Sequence, residues 1–430
     1  MTAISTAARH GAGVSVEGIR AGVAPVLERL AATARGREGT RDYPFEEVRA
    51  LAEQRITLIG VAAADGGAGG ALRDVVELII AIARADSNIA QALRSSFLTA
   101  ASVIARQDLP HRERTLERLR NGDLFAGTAN ERGGAAGAVA TRLLRKGGAY
   151  VLSGAKYYST GGLFAQWFGG TATDEDGKIV RFTIPADREG VERLDDFDAI
   201  GQRLTASGTT RLNDVEVYPD ELIRADEALP RNPWQGSFAQ LYLASIEAGI
   251  AGAALDDAIA FARDKARPIK HSTADRAIDD PYVRHVVGEI AARANAARAV
   301  VLLAAEEVGA VPTAVAHVPD TTAVGVPGVT AAAHDTPLAP TTPTDPVRAA
   351  GARAALAVAQ AQYVAVESAL RAGELVFDVG GGSATDVGAA LDRHWRNART
   401  VANHNPRNWK AAVVGGFHLT GDEPPTSGLF

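Results

Sequence analysis

The chain has 430 residues, 46% hydrophobic and 22% charged, with a formal net charge of −6; that is too long for one small core, and two or three packed globular units are expected. Lysine and arginine gather into no long run that could follow a phosphate backbone, which argues against nucleic-acid partners. The absence of cysteine excludes disulfides, thiolate nucleophiles and thiolate-held zinc or iron–sulfur clusters, and fits a cytoplasmic protein.

Arg9 and His10 precede no apolar stretch of signal-peptide length, and no later segment runs about twenty apolar residues without charge, so no membrane partner is expected. The nine histidines include no His-Glu-x-x-His pair, and His271 and His285 are too far apart for a one-turn clamp, so no catalytic metal is expected.

From about Val14 to Arg120 apolar residues recur by threes and fours, as in Phe45, Val48 and Leu51, then Val75, Val76, Ile79, Ile80 and Ile82, which predicts helices. Pro44 followed by Glu46 and Glu47 marks a helix start. The run Asp65-Gly-Gly-Ala-Gly-Gly70 reads as a flexible turn, because no strand precedes it as a phosphate-binding fingerprint requires.

Between about Leu124 and Leu222 the period shifts toward two. Ala149–Tyr157, Ile179–Ile184 and Arg211–Val217 read as strands, separated by Gly147-Gly148, Asp176-Gly177 and Gly201. From Phe238 helices return: Val283, Val286, Val287, Ile290, Ala294, Ala297 and Val301 form one stripe, and Leu356, Tyr363, Val366, Leu370 and Phe377 a second, which suits a helix bundle. Residues from about Gly309 to Pro346 show no period and read as an irregular insertion. The expected fold is α+β, with a helical domain over 1–122, a small β-barrel or sandwich over 123–225, and a C-terminal four-helix bundle over 226–430 interrupted at about 309–346.

The segment Leu391–Pro406 reads as an amphipathic helix with Arg393, Arg396 and Arg399 along one stripe, stopped or bent by Pro406. His404 then falls at or just beyond a helix end, where the backbone dipole favours its protonated form and suits it to proton delivery. The plainer alternative is an imidazole satisfied by backbone carbonyls.

Four strings sharpen the reading: Ala129-Asn-Glu-Arg-Gly-Gly134, Leu152-Ser-Gly-Ala-Lys-Tyr-Tyr-Ser-Thr-Gly161, Leu194-Asp-Asp-Phe-Asp-Ala-Ile-Gly-Gln-Arg-Leu-Thr-Ala-Ser-Gly208 and Leu391-Asp-Arg-His-Trp-Arg-Asn-Ala-Arg-Thr400. In this order they resemble the acyl-CoA dehydrogenase superfamily, and within it the flavin-dependent monooxygenase branch. The resemblance implies that Thr160 contacts flavin N5, that Tyr158 takes the place of an aromatic packed on the ring, and that Asn130 holds the pyrimidine edge. Ser159 is implied to support the peroxide or substrate. Lys265 or Arg267, in a helix ending near Pro268, would carry charge to the cofactor phosphate, and Gly380, Gly381 and Gly382 would approach the cofactor across a subunit interface. A homo-oligomer, usually a tetramer, follows.

Dehydrogenases of the superfamily place a glutamate after the Arg-rich helix, whereas here the sequence reads Val401-Ala-Asn-His-Asn-Pro406. Sulfur-oxidising relatives have a His-Asp pair there, matched by His404-Asn405. Asn405 brings no charge, so a lower His404 pKa than beside aspartate is expected. Serines in Ala92-Leu-Arg-Ser-Ser-Phe97 stand where relatives tend to have a histidine, and Gly127 where an asparagine is usual. The resemblance thus implies a two-component monooxygenase. Reduced FMN, with FAD as the alternative, arrives from a separate flavin reductase and forms a C4a-hydroperoxide that oxygenates sulfur or nitrogen of a small-molecule substrate. Two alternatives stay open: an acyl-CoA dehydrogenase with a relocated base, and a non-catalytic flavin-binding protein.

Overall fold

The computed structural model describes residues 14–128, 131–132, 139–224, 232–268, 270–313 and 346–427. The chain opens with helices α1 (Val16–Thr40), α2 (Phe45–Glu53), α3 (Leu72–Ala85), α4 (Ser87–Ala92), α5 (Arg94–Ala105) and α6 (Arg112–Asn121). Pro44 does precede α2, with Glu46 and Glu47 in its first turn. The Gly66–Gly70 stretch turns as expected, but it is packed: a Cβ on Gly67 would come within 2.2 Å of the Val61 carbonyl oxygen.

Eight strands follow: β1 (Phe125–Thr128), β2 (Arg142–Lys146), β3 (Ala149–Lys156), β4 (Trp167–Thr173), β5 (Ile179–Pro185), β6 (Val191–Arg193), β7 (Thr210–Val217) and β8 (Leu222–Ile223). They form one sheet in the order β6-β7-β3-β2-β4-β5-β8, with β1 beside β4. Between β2 and β4 the register is a single pair, Arg142 with Thr173. Leu152, Leu212 and Val215 on one side of that joint share an apolar cluster with Phe168, Phe182 and Ile184 on the other, so the sheet folds its two halves over a common core.

The last helices are α7 (Pro233–Asp264), α8 (Pro281–Gly309), α9 (Pro346–Leu375), α10 (Asp392–Ala402) and α11 (Arg407–Thr420). By length and composition α7 could cross a membrane, yet 83% of its most apolar window is buried inside the protein, and every residue from Gly236 to Ala251 is buried. It is the central core helix. The first expected stripe holds in α8, where Ile290, Ala294, Ala297 and Val301 are buried. The second holds in part: Val366 is buried and Leu370 and Phe377 pack against the core, but most of the α9 core face is Ala354, Val358, Ala361, Ala365, Ala369 and Ala372, while Tyr363 is exposed and Phe377 falls beyond the helix. Small side chains let α9 lie close against α7 and α8, and the larger ones flank the contact.

The arginines of α10 form no free stripe. Arg393 and His394 both bond Asp257 of α7, at 2.5 and 2.8 Å, and Arg396 reaches Glu38 and the Ile200 carbonyl. The helix ends at Ala402, before Pro406, which instead caps α11. Residues of α1–α5 and of α7–α9 belong to one continuous apolar cluster, separate from that of the sheet.

Candidate active site

A cavity of about 910 Å³ opens between α5, β1, the turn after β3, the Phe197–Ser207 segment, the start of α7 and the end of α10. Polar anchors fix its walls. Glu131 binds the Lys156 ammonium at 2.6 Å and the Thr141 hydroxyl at 2.8 Å, holding the loop after β1 to the end of β3. The Arg132 guanidinium stacks 3.5 Å above the Tyr157 ring. Tyr158 then adopts a left-handed backbone (φ 61°), rare for an aromatic residue, and stays half-exposed on the cavity wall. Gly161 (φ 81°) completes the turn where a Cβ would strike the Ala92 carbonyl oxygen at 2.3 Å.

The Phe197–Ser207 segment is clamped from three helices. Gln202 N donates to Asn397 Oδ1 at 2.6 Å, Leu204 N to Asn88 Oδ1 at 3.1 Å, and Glu38 Oε1 accepts from both Asn88 and Asn397 at 3.0 Å. This aligns a row of hydroxyls. Thr205 Oγ1 donates to the Gln202 carbonyl at 2.9 Å, Ser207 Oγ lies 2.7 Å from Thr205 Oγ1, and Thr160 Oγ1 lies 2.8 Å from Ser207 Oγ. Each hydroxyl has one proton. With Thr205 donating to the carbonyl, Ser207 donates to Thr205, and the Thr160 proton goes to Ser207 at 2.8 Å or to the Tyr158 carbonyl at 3.5 Å, so in either case Thr160 Oγ1 turns acceptor lone pairs to the cavity.

Opposite stand His404 and Arg94. His404 lies two residues past α10, its backbone N–H bonded to Val401 O at 3.0 Å, and its ring borders the cavity. His404 keeps an exposed edge in the single chain, yet the protein packed around its ring, and then the Arg94 charge, push its pKa down to about 4, against the helix-end expectation of a favoured imidazolium. The causes of this shift are desolvation and Arg94, and the effect expected of an uncharged residue 405 is a separate one. Arg94 begins α5, donates Nη2 to Ala239 O at 3.1 Å and leaves Nε without a partner. Burial pushes it down to about 10.

Of the residues expected from sequence, the fold brings Tyr158, Thr160 and His404 to the cavity. Ser95 and Gly127 also meet there; a Cβ on Gly127 would sit 3.1 Å from Ser95 Oγ. Ser159 does not reach it: its side chain points into the β unit, where its Oγ accepts from Thr210 at 2.8 Å. Asn405 is not on the wall either, and donates instead to Gln240 Oε1 at 2.7 Å. The same oxygen lies 3.3 Å from Lys410 Nζ, whose pKa burial pushes down to about 7. Asn130 lies outside the described residues.

Lys265 and Arg267 are exposed at the far end of α7. Gly380 packs there on Phe261, one turn before Lys265, so closely that a Cβ would fall 2.0 Å from the ring; Gly381 and Gly382 are open to solvent. Lys265 follows the cavity-lining Ala239 by 26 residues (265 − 239), or about 39 Å of helix at 1.5 Å per residue. Sequence reasoning missed Arg94, Thr205 and Ser207. Arg94 stands inside a string noted only for its serines, and nothing local marks a hydroxyl that works through another.

The family described as acyl-CoA dehydrogenase, C-terminal domain, matches residues 241–360 and 329–409. The chain is similar to a dibenzothiophene monooxygenase of Mycolicibacterium goodii, 27% identical over 373 residues and 82% of either chain. It is likewise similar to the probable FMNH2-dependent monooxygenase SfnC of Pseudomonas putida, 27% identical over 405 residues, covering 93% of this chain and 94% of that one. FMN-bound TdsC of Paenibacillus sp. A11-2 superposes with a TM-score of 0.80 at 24% identity, over 96% of this chain and all of that one.

Proposed function

We propose a function from one premise: the chain belongs to the acyl-CoA dehydrogenase superfamily, in its flavin-dependent monooxygenase branch. It is an oxidoreductase that takes externally supplied reduced FMN and O2 and oxygenates a small organic substrate at sulfur or nitrogen. The observation that carries this reading is the cavity in which Tyr158, Thr160 and His404 converge, with Asp198 the one carboxylate on its wall among the described residues. Among the described residues no glutamate lines it to remove an α-proton, which disfavours the dehydrogenase alternative.

The residues fit a flavin. The volume is at the upper end of small-molecule sites, and Thr160 Oγ1, held as an acceptor, matches the N–H that a reduced isoalloxazine carries and an oxidised one lacks. When bound, reduced FMN supplies the two electrons with which one atom of O2 enters substrate and the other leaves as water. Leu98, Ala101, Leu109 and Pro110 give the cavity an apolar wall that keeps water from the reacting atoms. His404, neutral at pH 7, is no stored acid; it moves a proton by releasing one from one ring nitrogen while the other takes one up.

Further parts of the reading are proposals. The distance along α7 puts Lys265, Arg267 and the Gly380–Gly382 turn beyond reach of a flavin in the same chain's cavity, which supports their serving a neighbouring copy, in a homotetramer. A separate cytoplasmic flavin reductase would supply the cofactor. The test is oxygenation of thioanisole under 18O2 with photoreduced FMN: one labelled oxygen in the sulfoxide is expected. Bleaching of bound flavin by an acyl-CoA without oxygen, and no labelled product, would restore the dehydrogenase alternative.

A further inference from the structure

A guanidinium inside a cavity is costly to keep charged unless something compensates it. Arg94 lies in that position. It lines the cavity, its guanidinium makes one hydrogen bond, from Nη2 to the Ala239 carbonyl, and Nε has no partner; among the described residues no carboxylate forms an ion pair with it. Its neighbours on the wall differ. Arg106 is engaged by Asp108 at 2.7 Å, and Arg132 is stacked on Tyr157. Asp198, on the opposite Phe197–Ser207 segment, bonds neither of them. Nε is sealed within the protein, so Arg94 is a fixed positive charge whose donors toward the cavity are those of Nη1 and the second N–H of Nη2, next to Leu98 and Ala101 on the same helix, a short distance from apolar wall.

We propose that Arg94 is the specificity-determining residue of this cavity, and that it selects substrates bearing a monoanionic oxyacid group, a carboxylate or sulfinate, joined to a small apolar body. A guanidinium presents paired N–H donors that match two oxygens of such a group, which a neutral amide or sulfoxide does not match. The apolar body lies against Leu98 and Ala101, and the oxyanion neutralises the buried charge. This rests on the monooxygenase reading for the identity of the cavity as the substrate site, and it adds to that reading a preference for organic acids over neutral molecules such as thioanisole.

The experiment is calorimetric titration of the full chain, saturated with oxidised FMN, with benzoate and benzenesulfinate against their neutral counterparts benzamide and methyl phenyl sulfoxide. Losing one charge-assisted contact is expected to weaken binding roughly ten- to a hundred-fold. Both anions should therefore bind that much tighter than their neutral counterparts, Arg94→Gln should abolish the preference, and Arg94→Lys should restore part of it. Binding of carboxylate but not sulfinate, or the reverse, still supports the anion site and identifies its source. Equal affinity for anions and neutral partners in the wild-type chain overturns the proposal even if Arg94→Gln fails to fold. If thioanisole is oxygenated while that equality holds, the monooxygenase reading stands without the anion site; if anions bind through Arg94 but no thioether or sulfinate gains 18O, the anion site stands and the reading falls.

Discussion

Ser207 is set to act through Thr160. Replacing it with alanine removes the nearer acceptor of the Thr160 proton and leaves only the Tyr158 carbonyl at 3.5 Å, so Thr160 can turn its hydroxyl hydrogen to the cavity and bind an oxidised flavin nitrogen more readily. One neutral hydrogen bond contributes about 1 kcal/mol, so the preference for reduced over oxidised FMN should fall about five-fold in Ser207→Ala, read by fluorescence titration of oxidised FMN and by the potential of bound flavin. An unchanged potential would refute the relay. His404 carries a second expectation. Its folded pKa, about 4, is below its ordinary 6.5, so the unfolded chain takes up this proton first. The ring's contribution to stability is complete above about 6.5 and is lost as pH falls toward 4. In activity, log kcat/KM should show no inflection from this ring between about pH 5.5 and 8, and Arg94→Gln should move its titration upward; a wild-type inflection near 6.5 would show that solvent reaches the ring freely. At this scale the sequence made His404, Thr160, Tyr158 and Ser95 legible, because each stands in a quotable string, and Gly127 through its place just before one. It misread Ser159 and Asn405, because neighbouring side chains after a strand or helix point opposite ways, and only tertiary packing decides which one meets the cavity.

Glu247 lies in the middle of α7, fully buried, with neither carboxyl oxygen partnered among the described residues. Burial raises its pKa well above the ordinary 4.5, against a smaller opposing effect from Arg407. Stability from the neutral acid is therefore present below about pH 4.5 and is lost as pH rises through the raised pKa. Glu247→Met, similar in volume and without a charge to bury, should raise stability by about 1–3 kcal/mol at pH 8 and flatten the decline in urea midpoint between pH 5 and pH 9; a midpoint that changes identically in both proteins would show that the carboxyl is solvated. The close fit of α9 has its own consequence. Ala365→Leu inserts bulk where alanine permits helix contact, and should cost about 1–3 kcal/mol by thermal denaturation. Helices and the three longest expected strands were legible because their apolar periods are long. The strands β1, β2, β4, β6 and β8 were not: the first three are short or glycine-bearing, β6 has three residues and β8 two, and their pairing comes mostly from partners remote in sequence. The core face of α9 was only partly legible because alanine gives a weak apolar signal, although it is the residue that sets the spacing.

Across the whole molecule, the exposed Trp409 on α11 and Trp395 on α10, with Leu419 beyond them, leave large apolar side chains uncovered in one chain. If Lys265 serves another copy's cavity, Lys265→Ala should weaken FMN binding several-fold in the assembled protein while mass photometry still shows the same oligomer; full affinity in that variant would detach Lys265 from the cofactor. The α+β class and the order of helices, sheet and bundle were legible from periodicity alone. What no local pattern revealed is that the first and last helices share a single apolar interior. During synthesis the ribosome releases Val76, Ile79 and Ile80 of α3 long before Leu241, Leu243 and Ile250 of α7, which cover them, have been translated. The nascent chain must carry that sticky surface through completion of the entire β unit, so yield in vivo should depend on chaperone supply, and a slow translation pause placed just after residue 222 should raise the aggregated fraction.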